Sequence, residues 1–179
     1  MGGLRFLPPQ PVQAWSDPLD LTGDSTAVCP QRRSGEVIGV EDCLYMNIYA
    51  PLQYTGNGNA VMVWIYGGGF INGNNKMTEY GPDYYLDQGI LVVVPNYRTG
   101  ILGFYSLSTE QVPGNQGLLD QLAALQTVQA VIASFGGDPN AVTLAGQSAG
   151  SSSTLYHLMS PRSQGLFHQG WKFMSCSHF

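Results

Sequence analysis

The amino-acid sequence predicts an α/β protein with a mostly parallel central sheet and flanking helices. Residues 61–66 and 90–94 are continuous apolar runs, which are typical of strands buried on both faces. Between residues 118 and 135, apolar residues recur at steps of three and four, which is typical of an amphipathic helix. Strands that alternate with helices form a largely parallel sheet joined by right-handed crossovers.

The N-terminal 35 residues are rich in proline and are predicted to be irregular. Cys29 and Cys43 bracket a polar loop near the end of this region. If oxidised, they would close a short loop and stabilise the fold by about 3 kcal/mol. The alternative is a pair of buried thiols, and the spacing alone does not decide between the two. Residues 44–49 have the character of a strand, which Pro51 ends.

A triple glycine follows the first buried run. Residues 61–66 lead directly into Gly67, Gly68 and Gly69. Three consecutive glycines lose much conformational entropy on folding, so their backbone is expected to have a role. Bare N–H groups that a ligand can approach closely form sites for an anion or an oxyanion. The alternative is a plain flexible turn.

One long helix is predicted after residue 113. The sequence Pro113-Gly114-Asn115 is typical of a helix start, with Asn115 as the N-cap residue. A helix of about twenty residues follows and ends at Gly136-Gly137-Asp138-Pro139. Its apolar positions are Leu118, Leu122, Leu125, Val128, Ile132 and Phe135.

The composition argues against several classes of function. Charged residues make up 11% of the chain, and the net charge is −5 with few, scattered Lys and Arg. This charge pattern argues against a nucleic-acid partner and against an anionic membrane surface. No apolar run reaches about 18 residues, so no membrane-spanning helix is predicted. The first residues lack the pattern of a signal peptide. A surface with so little charge indicates that something else normally covers part of it.

Residues 142–150 contain the pattern that points to chemistry. A short apolar run ends in Gly146-Gln147-Ser148-Ala149-Gly150, and a helix through Leu155 and Leu158 is predicted to follow. A strand, a tight turn and a helix in this order are typical of a nucleophile elbow with Ser148 at the apex. The pattern alone is weakly specific, because glycine and serine are common in this chain. The triple glycine and Ser148 nevertheless both fall at the carboxyl ends of predicted strands, where ligands bind in parallel sheets.

Several further strings stand in a characteristic order along the chain. They are Arg5-Phe6 with Pro8-Pro9 and Trp15, Glu41-Asp42-Cys43-Leu44, Trp64-Ile65-Tyr66-Gly67-Gly68-Gly69-Phe70, Asn96-Tyr97-Arg98, Gly114-Asn115-Gln116-Gly117-Leu118, Asp120-Gln121 and Phe135-Gly136-Gly137-Asp138-Pro139. With the elbow, they resemble the type B carboxylesterase family, the cholinesterase-like branch of the α/β-hydrolases, and within it the insect carboxylesterases.

The resemblance implies a partial α/β-hydrolase fold. Residues 1–179 would form a single incomplete domain, equivalent to the N-terminal third of a family catalytic domain. The first family strands and a signal peptide would precede Met1, so the resemblance implies a chain truncated at both ends. It also implies that the full-length protein is secreted.

The resemblance also assigns roles to individual residues. It implies hydrolysis of a small-molecule carboxylic ester without a cofactor or a metal ion, and it does not indicate an oligomeric state. A choline substrate is not expected, because the loop between the two cysteines contains no Trp. The matched residues are Ser148 for the nucleophile, Gly68, Gly69 and Ala149 for the backbone N–H groups of the oxyanion hole, Cys29 and Cys43 for a disulfide, and Arg5 with Glu41 and Arg98 with Asp120 for two structural ion pairs.

The chain does not contain the rest of a catalytic triad. The fold requires the order serine, acid, histidine, yet no Asp or Glu follows Ser148. None of the later histidines, His157, His168 and His178, matches the catalytic one. His157 is expected to be a helix-surface or packed histidine. No acid or base is assigned, and the isolated chain is expected to be inactive.

Three hypotheses follow from the sequence. The first is a carboxylic ester hydrolase, and the retained Ser148 favours it. The second is a non-catalytic adhesion or binding protein with a neuroligin-like esterase fold. The third is a truncated product without a stable fold, because half a sheet exposes apolar edges and faces.

Overall fold

A computed structural model describes residues 2–12, 15–17, 20–23, 27–53 and 56–173. Its strands are β1 (Gln31–Arg33), β2 (Glu36–Ile38), β3 (Met46–Tyr49), β4 (Asn59–Ile65), β5 (Leu91–Pro95), β6 (Gly137–Gln147) and β7 (Gln169–Phe173). Its α-helices are α1 (Asp83–Asp87), α2 (Gly100–Phe104), α3 (Gln116–Val131) and α4 (Ala149–Met159). Short 3-10 helices cover Gly2–Leu4, Ile132–Phe135 and Pro161–Ser163.

Five strands form one mixed sheet in the order β3-β5-β4-β6-β7. The four strands from β5 to β7 in this order are parallel, and β3 pairs antiparallel with β5 at the edge. A mostly parallel sheet flanked by helices confirms the predicted partial α/β-hydrolase fold. The direction of β3 was not predicted, because an apolar run specifies a strand but not its orientation.

The central strands are buried on both faces, because successive side chains of a strand point to opposite sides of the sheet. On one face, Val61, Val63 and Ile65 of β4 pack in a core that includes Leu125, Val128 and Ile132. On the other face, Met62 packs with Val92, Val94 and Ala145. This two-sided burial explains why the runs 61–66 and 90–94 show no polar alternation.

The long helix confirms the prediction in position and length. Together, α3 and the 3-10 turn that follows it extend over twenty residues, Gln116–Phe135. Asn115 is the N-cap residue, as predicted, but its backbone is left-handed, with φ 60°, and its side chain makes no capping hydrogen bond. Phe135 ends the predicted apolar face but is 48% exposed. The 3-10 turn has three residues per turn, so its side chains leave the α-helical face.

Among the described residues, one helix, Gln116–Phe135, is long and apolar enough to cross a membrane by length and composition alone. Core helices of globular proteins pass the same test. In this helix Leu125 and Val128 are fully buried in the core, and Asp120 is paired with a cation. These contacts are those of a core helix.

Arg98 and Asp120 form a buried ion pair that joins the chain after β5 to α3. The guanidinium donates two hydrogen bonds of 2.7 Å to the carboxylate oxygens, and the Arg98 backbone N–H donates a third of 3.0 Å. Another guanidinium N–H donates to the Arg5 carbonyl oxygen at 3.0 Å. Burial raises the pKa of Asp120, and the Arg98 guanidinium opposes that rise. Arg5 and Glu41 also form an ion pair, with side chains 46% and 29% exposed, so both expected pairs are confirmed.

A disulfide bond joins Cys29 to Cys43, which confirms the expected pairing. Both cysteines are fully buried. The loop between them contains the antiparallel hairpin of β1 and β2, which was not predicted from its polar sequence. Ser34 and Gly35 form its turn with φ of 52° and 89°, as a two-residue hairpin turn requires. The Asn96 side-chain amide donates to the Cys43 carbonyl oxygen at 3.0 Å, so the loop is anchored to the end of β5.

We expect Asp120→Asn to lower the free energy of unfolding by about 3–5 kcal/mol, because it leaves the Arg98 guanidinium buried without its counter-charge. Glu41→Gln is the matched control, since it removes a carboxylate from the exposed ion pair and should cost little. Urea unfolding followed by tryptophan fluorescence measures both variants. Equal losses in the two variants would contradict this interpretation of the buried pair.

Candidate active site

Ser148 lies at the turn between β6 and α4 in a strained backbone conformation. Its φ is 57° and its ψ is −120°, a region that residues with a side chain rarely adopt. Such strain costs about 1–3 kcal/mol and persists only where the surrounding structure enforces it. Here the Ser148 N–H donates to the Phe173 carbonyl oxygen at 3.1 Å, and the Ser148 carbonyl accepts from the Ser152 N–H at 3.1 Å. The strand, turn and helix follow one another as the sequence pattern predicts.

Two glycines allow this turn to pack against the end of β4. A Cβ atom placed on Gly150 would overlap the Ile65 carbonyl oxygen. A Cβ atom placed on Gly146 would lie 2.5 Å from the Gly150 carbonyl carbon and 2.8 Å from the Ile65 carbonyl oxygen. Any side chain at either position therefore clashes with the main chain.

The triple glycine Gly67–Gly69, the glycine loop, follows β4 after Tyr66 and packs directly against the Ser148 turn. A Cβ atom on Gly67 would lie 2.6 Å from the Gln147 carbonyl oxygen and 3.0 Å from the Ser148 Cβ. The Gly68 carbonyl accepts hydrogen bonds from Ile71 N–H at 3.0 Å and from Asn72 N–H at 3.2 Å. The two hydrogen bonds to the Gly68 carbonyl turn the chain back directly after the glycines.

The predicted oxyanion-hole residues lie in these two segments. Gly68 and Gly69 have φ of 114° and 62°, and Ala149 is the first residue of α4. Over residues 27–53 and 56–173, no oxygen accepts a hydrogen bond from the backbone N–H of Gly68, Gly69 or Ala149. The first N–H groups of a helix have no partner within it and carry partial positive charge. Such N–H groups can stabilise a negatively charged oxygen.

Gln147 is the last residue of β6, directly before Ser148, and its side chain carries no charge. The Gln147 Oε1 lies 2.7 Å from the position of a Cβ on Gly67. The side chain therefore contacts the first glycine of the loop.

His157 is a packed histidine, as one of the two expected alternatives predicts. It is 5% exposed, its Nδ1 lies 2.8 Å from the Ser163 Oγ, and its Nε2 lies 3.1 Å from the Gln121 Oε1. The Gln121 amide in turn donates to the Ser153 Oγ at 3.1 Å. Burial lowers the pKa of His157 to about 4. With both ring nitrogens engaged, His157 joins α3, α4 and the following 3-10 turn and is not a base for Ser148.

His168 does not supply a base either. His168 precedes β7, and its Nδ1 accepts a hydrogen bond from the Val142 N–H at 3.4 Å. His178 and Cys176 lie outside the described residues. Within the described part of the chain, Ser148 has no histidine partner.

Sequence reasoning gave no individual role to two tyrosines beside the glycine loop. Tyr66 directly precedes Gly67, and Tyr97 follows β5. Both are fully buried, and each hydroxyl bonds to the backbone of the other residue. The sequence did contain one signal for the pair: Tyr66 ends a buried apolar run, and a buried tyrosine hydroxyl needs a hydrogen-bond partner.

The fold and the strand-serine-helix turn define an α/β-hydrolase. The carboxylesterase family model matches residues 1–175, and the chain belongs to that family. It is 43% identical to a juvenile hormone esterase from Tribolium castaneum, over 94% of this chain and 29% of the relative. It is 45% identical to a carboxylic ester hydrolase from Bombus ignitus, over 95% of this chain and 32% of the relative. It is 43% identical to a cocaine esterase from Oryctolagus cuniculus, over 94% of this chain and 34% of the relative.

The chain therefore spans about a third of the length of the curated relatives it matches. The matched third includes Ser148, the glycine loop and the disulfide. The names of all three relatives describe esterases or ester hydrolases, although they do not specify the same ester.

We expect Gly150→Ala to destabilise the fold by about 1–3 kcal/mol, although alanine favours a helix over glycine. The new methyl group would meet the Ile65 carbonyl oxygen, which cannot move without disturbing β4. Gly56→Ala is the matched control, because a Cβ there meets no atom within 4 Å. Thermal unfolding by circular dichroism compares the two. A Gly150→Ala melting temperature equal to that of Gly56→Ala would refute the clash.

We expect the free energy of unfolding to depend on pH between about pH 4 and pH 6.5 because of His157. Its pKa is about 4 in the folded chain against 6.5 for the free side chain, so below pH 6.5 the unfolded chain binds a proton that the folded one excludes. The contribution of neutral His157 to the free energy of unfolding is fully present above pH 6.5. It is lost as the pH falls towards 4, and the total loss is roughly 3 kcal/mol. His157→Gln should flatten this part of the profile in urea unfolding. Met159→Gln, an exposed change on the same helix, should leave it as in the wild type, and an unchanged slope in His157→Gln would reject the assignment.

Proposed function

We propose that the protein is a carboxylic ester hydrolase whose nucleophile is Ser148. The observation that carries this proposal is the strained Ser148 backbone pressed against the glycine loop after β4. A strained conformation is stable only where the surroundings enforce it, and such sites often have a functional reason. The carboxylesterase match over residues 1–175 supports the same chemistry.

The proposed reaction is acyl transfer in two steps. The Ser148 Oγ attacks the ester carbonyl carbon, its proton leaves to a base, and the carbonyl oxygen becomes an oxyanion in a tetrahedral intermediate. The intermediate collapses to an acyl-enzyme, and the protonated base gives its proton to the departing alkoxide, which leaves as the alcohol. Water then attacks the acyl-enzyme carbonyl and gives a proton to the base, and the second intermediate collapses to the acid while that proton returns to the Ser148 oxygen.

The backbone N–H groups of Gly68, Gly69 and Ala149 are proposed to bind the oxyanion. The close approach of Gly67 to Ser148 and the position of Ala149 at the start of α4 support this arrangement. Donors that are fixed before the reaction stabilise the developing charge without reorganisation, and one such donor is typically worth 10²- to 10³-fold in rate.

The catalytic acid and base are proposed to lie in sequence outside residues 1–179. No Asp or Glu follows Ser148 in this chain, and His157 is buried in its own hydrogen-bond network. We further propose that residues 1–179 form one incomplete domain, and the single continuous sheet from β3 to β7 supports this proposal. A polypeptide limited to residues 1–179 is then inactive.

The proposed substrate is a small-molecule carboxylic ester. The names of the relatives specify a juvenile hormone ester and cocaine among others, so they support the ester class and not one compound. The buried Cys29–Cys43 disulfide supports folding in an oxidising compartment, and we propose that the full-length protein is extracellular.

The proposal predicts that an organophosphate labels the full-length protein at Ser148. Ser148→Ala should abolish both labelling and turnover of p-nitrophenyl esters, measured by mass spectrometry and absorbance. Ser152→Ala is the matched control, because it makes the same change one turn further along at a similarly half-buried serine. Labelling that persists in Ser148→Ala would show that another residue is the nucleophile.

The same assay tests the requirement for the missing groups. Residues 1–179 alone should hydrolyse the ester no faster than their own Ser148→Ala variant, because a serine without a base is a weak nucleophile. Clear Ser148-dependent turnover by this short chain would overturn the proposed location of the acid and base. A full-length protein that binds esters but neither reacts nor turns over would instead be the non-catalytic alternative.

A further inference from the structure

Tyr66 and Tyr97 form a reciprocal pair beneath the glycine loop. Their rings stack with centroids 4.5 Å apart and planes inclined by 19°. Both residues are fully buried. Tyr66 is the last residue before Gly67, and Tyr97 lies two residues after β5, so the pair joins the carboxyl ends of two neighbouring strands.

The two hydroxyl groups of the pair bond to different parts of the backbone. The Tyr66 hydroxyl donates to the Tyr97 carbonyl oxygen and accepts from the Tyr97 N–H, both at 3.1 Å. The Tyr97 hydroxyl donates to the Tyr66 carbonyl oxygen at 2.8 Å. Burial raises the pKa of both phenols, so both stay protonated and able to donate.

The Tyr66 carbonyl belongs to the peptide group that begins the glycine loop. Its direction sets the plane of the Tyr66–Gly67 peptide and hence the course of the backbone into Gly68. The same oxygen lies 3.0 Å from the position of a Cβ on Gly150, in the first turn of α4. One hydrogen bond therefore acts on a carbonyl that lies between the glycine loop and the Ser148 turn.

We propose that Tyr97 is a positioning residue for the oxyanion hole, acting through its hydroxyl on the Tyr66 carbonyl. The inference rests on the proposed function, because it gives Gly68 and Gly69 their role in binding the oxyanion. Glycines have the widest choice of backbone conformations, so the loop needs an external constraint to keep its N–H groups aimed. The Tyr97 hydroxyl supplies that constraint at the start of the loop, and the hydrogen bonds that the Gly68 carbonyl accepts from Ile71 and Asn72 supply it at the middle glycine.

The pair offers its own control. Tyr97→Phe keeps the stacked ring and removes only the hydrogen bond to the Tyr66 carbonyl. Tyr66→Phe removes an equally buried hydroxyl, but one that bonds to the Tyr97 backbone and not to the glycine loop. A purely structural role predicts similar behaviour of the two variants in every assay.

The experiment measures inhibition of the full-length protein by two matched ketones. The Ser148 Oγ adds to the carbonyl carbon of a trifluoromethyl ketone, its proton passes to the base, and the ketone oxygen becomes an oxyanion. The corresponding methyl ketone binds largely without this addition. The ratio of their Ki values reports oxyanion binding and does not depend on how much of a variant is folded. Because misplaced catalytic groups cost up to about 100-fold, we expect Tyr97→Phe to weaken the trifluoromethyl ketone about 10- to 100-fold.

Further expectations distinguish positioning from stability. Tyr97→Phe should lower kcat by a similar factor and leave KM and the methyl ketone Ki within about twofold, as loss of a transition-state interaction requires. Tyr66→Phe should lower the melting temperature comparably but change the Ki ratio by less than about threefold. If the two variants change that ratio equally, or if Tyr97→Phe leaves it unchanged, the inference is overturned.

Ser148→Ala separates this inference from the proposed function. It should remove the preference for the trifluoromethyl ketone altogether. If the preference survives in Ser148→Ala, the proposed nucleophile is wrong and the inference falls with it. If Ser148→Ala loses the preference while Tyr97→Phe keeps it, only the role of Tyr97 is refuted.

Discussion

Main-chain contact between the end of β4 and the turn after β6 is the constraint on which the candidate site depends. The parallel register pairs Ile65 with Gly146, so both strands end at the same edge of the sheet. The two segments approach closely only because Gly67, Gly146 and Gly150 have no side chain. This contact holds Ser148 in its strained conformation and brings the glycine loop against it, so the site is a property of backbone packing.

Buried polar groups fix the elements around this contact. The Arg98–Asp120 pair joins the chain after β5 to α3, and His157 joins α3 to α4. The stacked Tyr66 and Tyr97 join the ends of β4 and β5. The apolar core positions whole strands and helices, whereas these directional bonds select one arrangement of the loops between them.

Much of this architecture could be predicted because it depends on local pattern. The buried runs predict β4 and β5, the helical spacing predicts α3, and the glycines around Ser148 predict a turn. The features that were not predicted depend on partners distant in sequence. The direction of β3, the ring partners of His157 and the hydroxyl partners of Tyr97 are set by tertiary contacts, which residue type does not encode. The hairpin after Cys29 was missed because a short polar strand lacks an apolar alternation.

Whether evolution can replace one of these glycines depends on which atoms surround it. At Gly170, a methyl group would meet the Leu158 side chain at 2.9 Å, and a smaller residue at 158 would make room for it. At Gly150, the obstacle is the Ile65 carbonyl oxygen, which every amino acid carries. No second-site suppressor at residue 65 can therefore rescue a side chain at 150. Gly170 can therefore be replaced together with a change at Leu158, whereas no compensating substitution at residue 65 allows a side chain at Gly150.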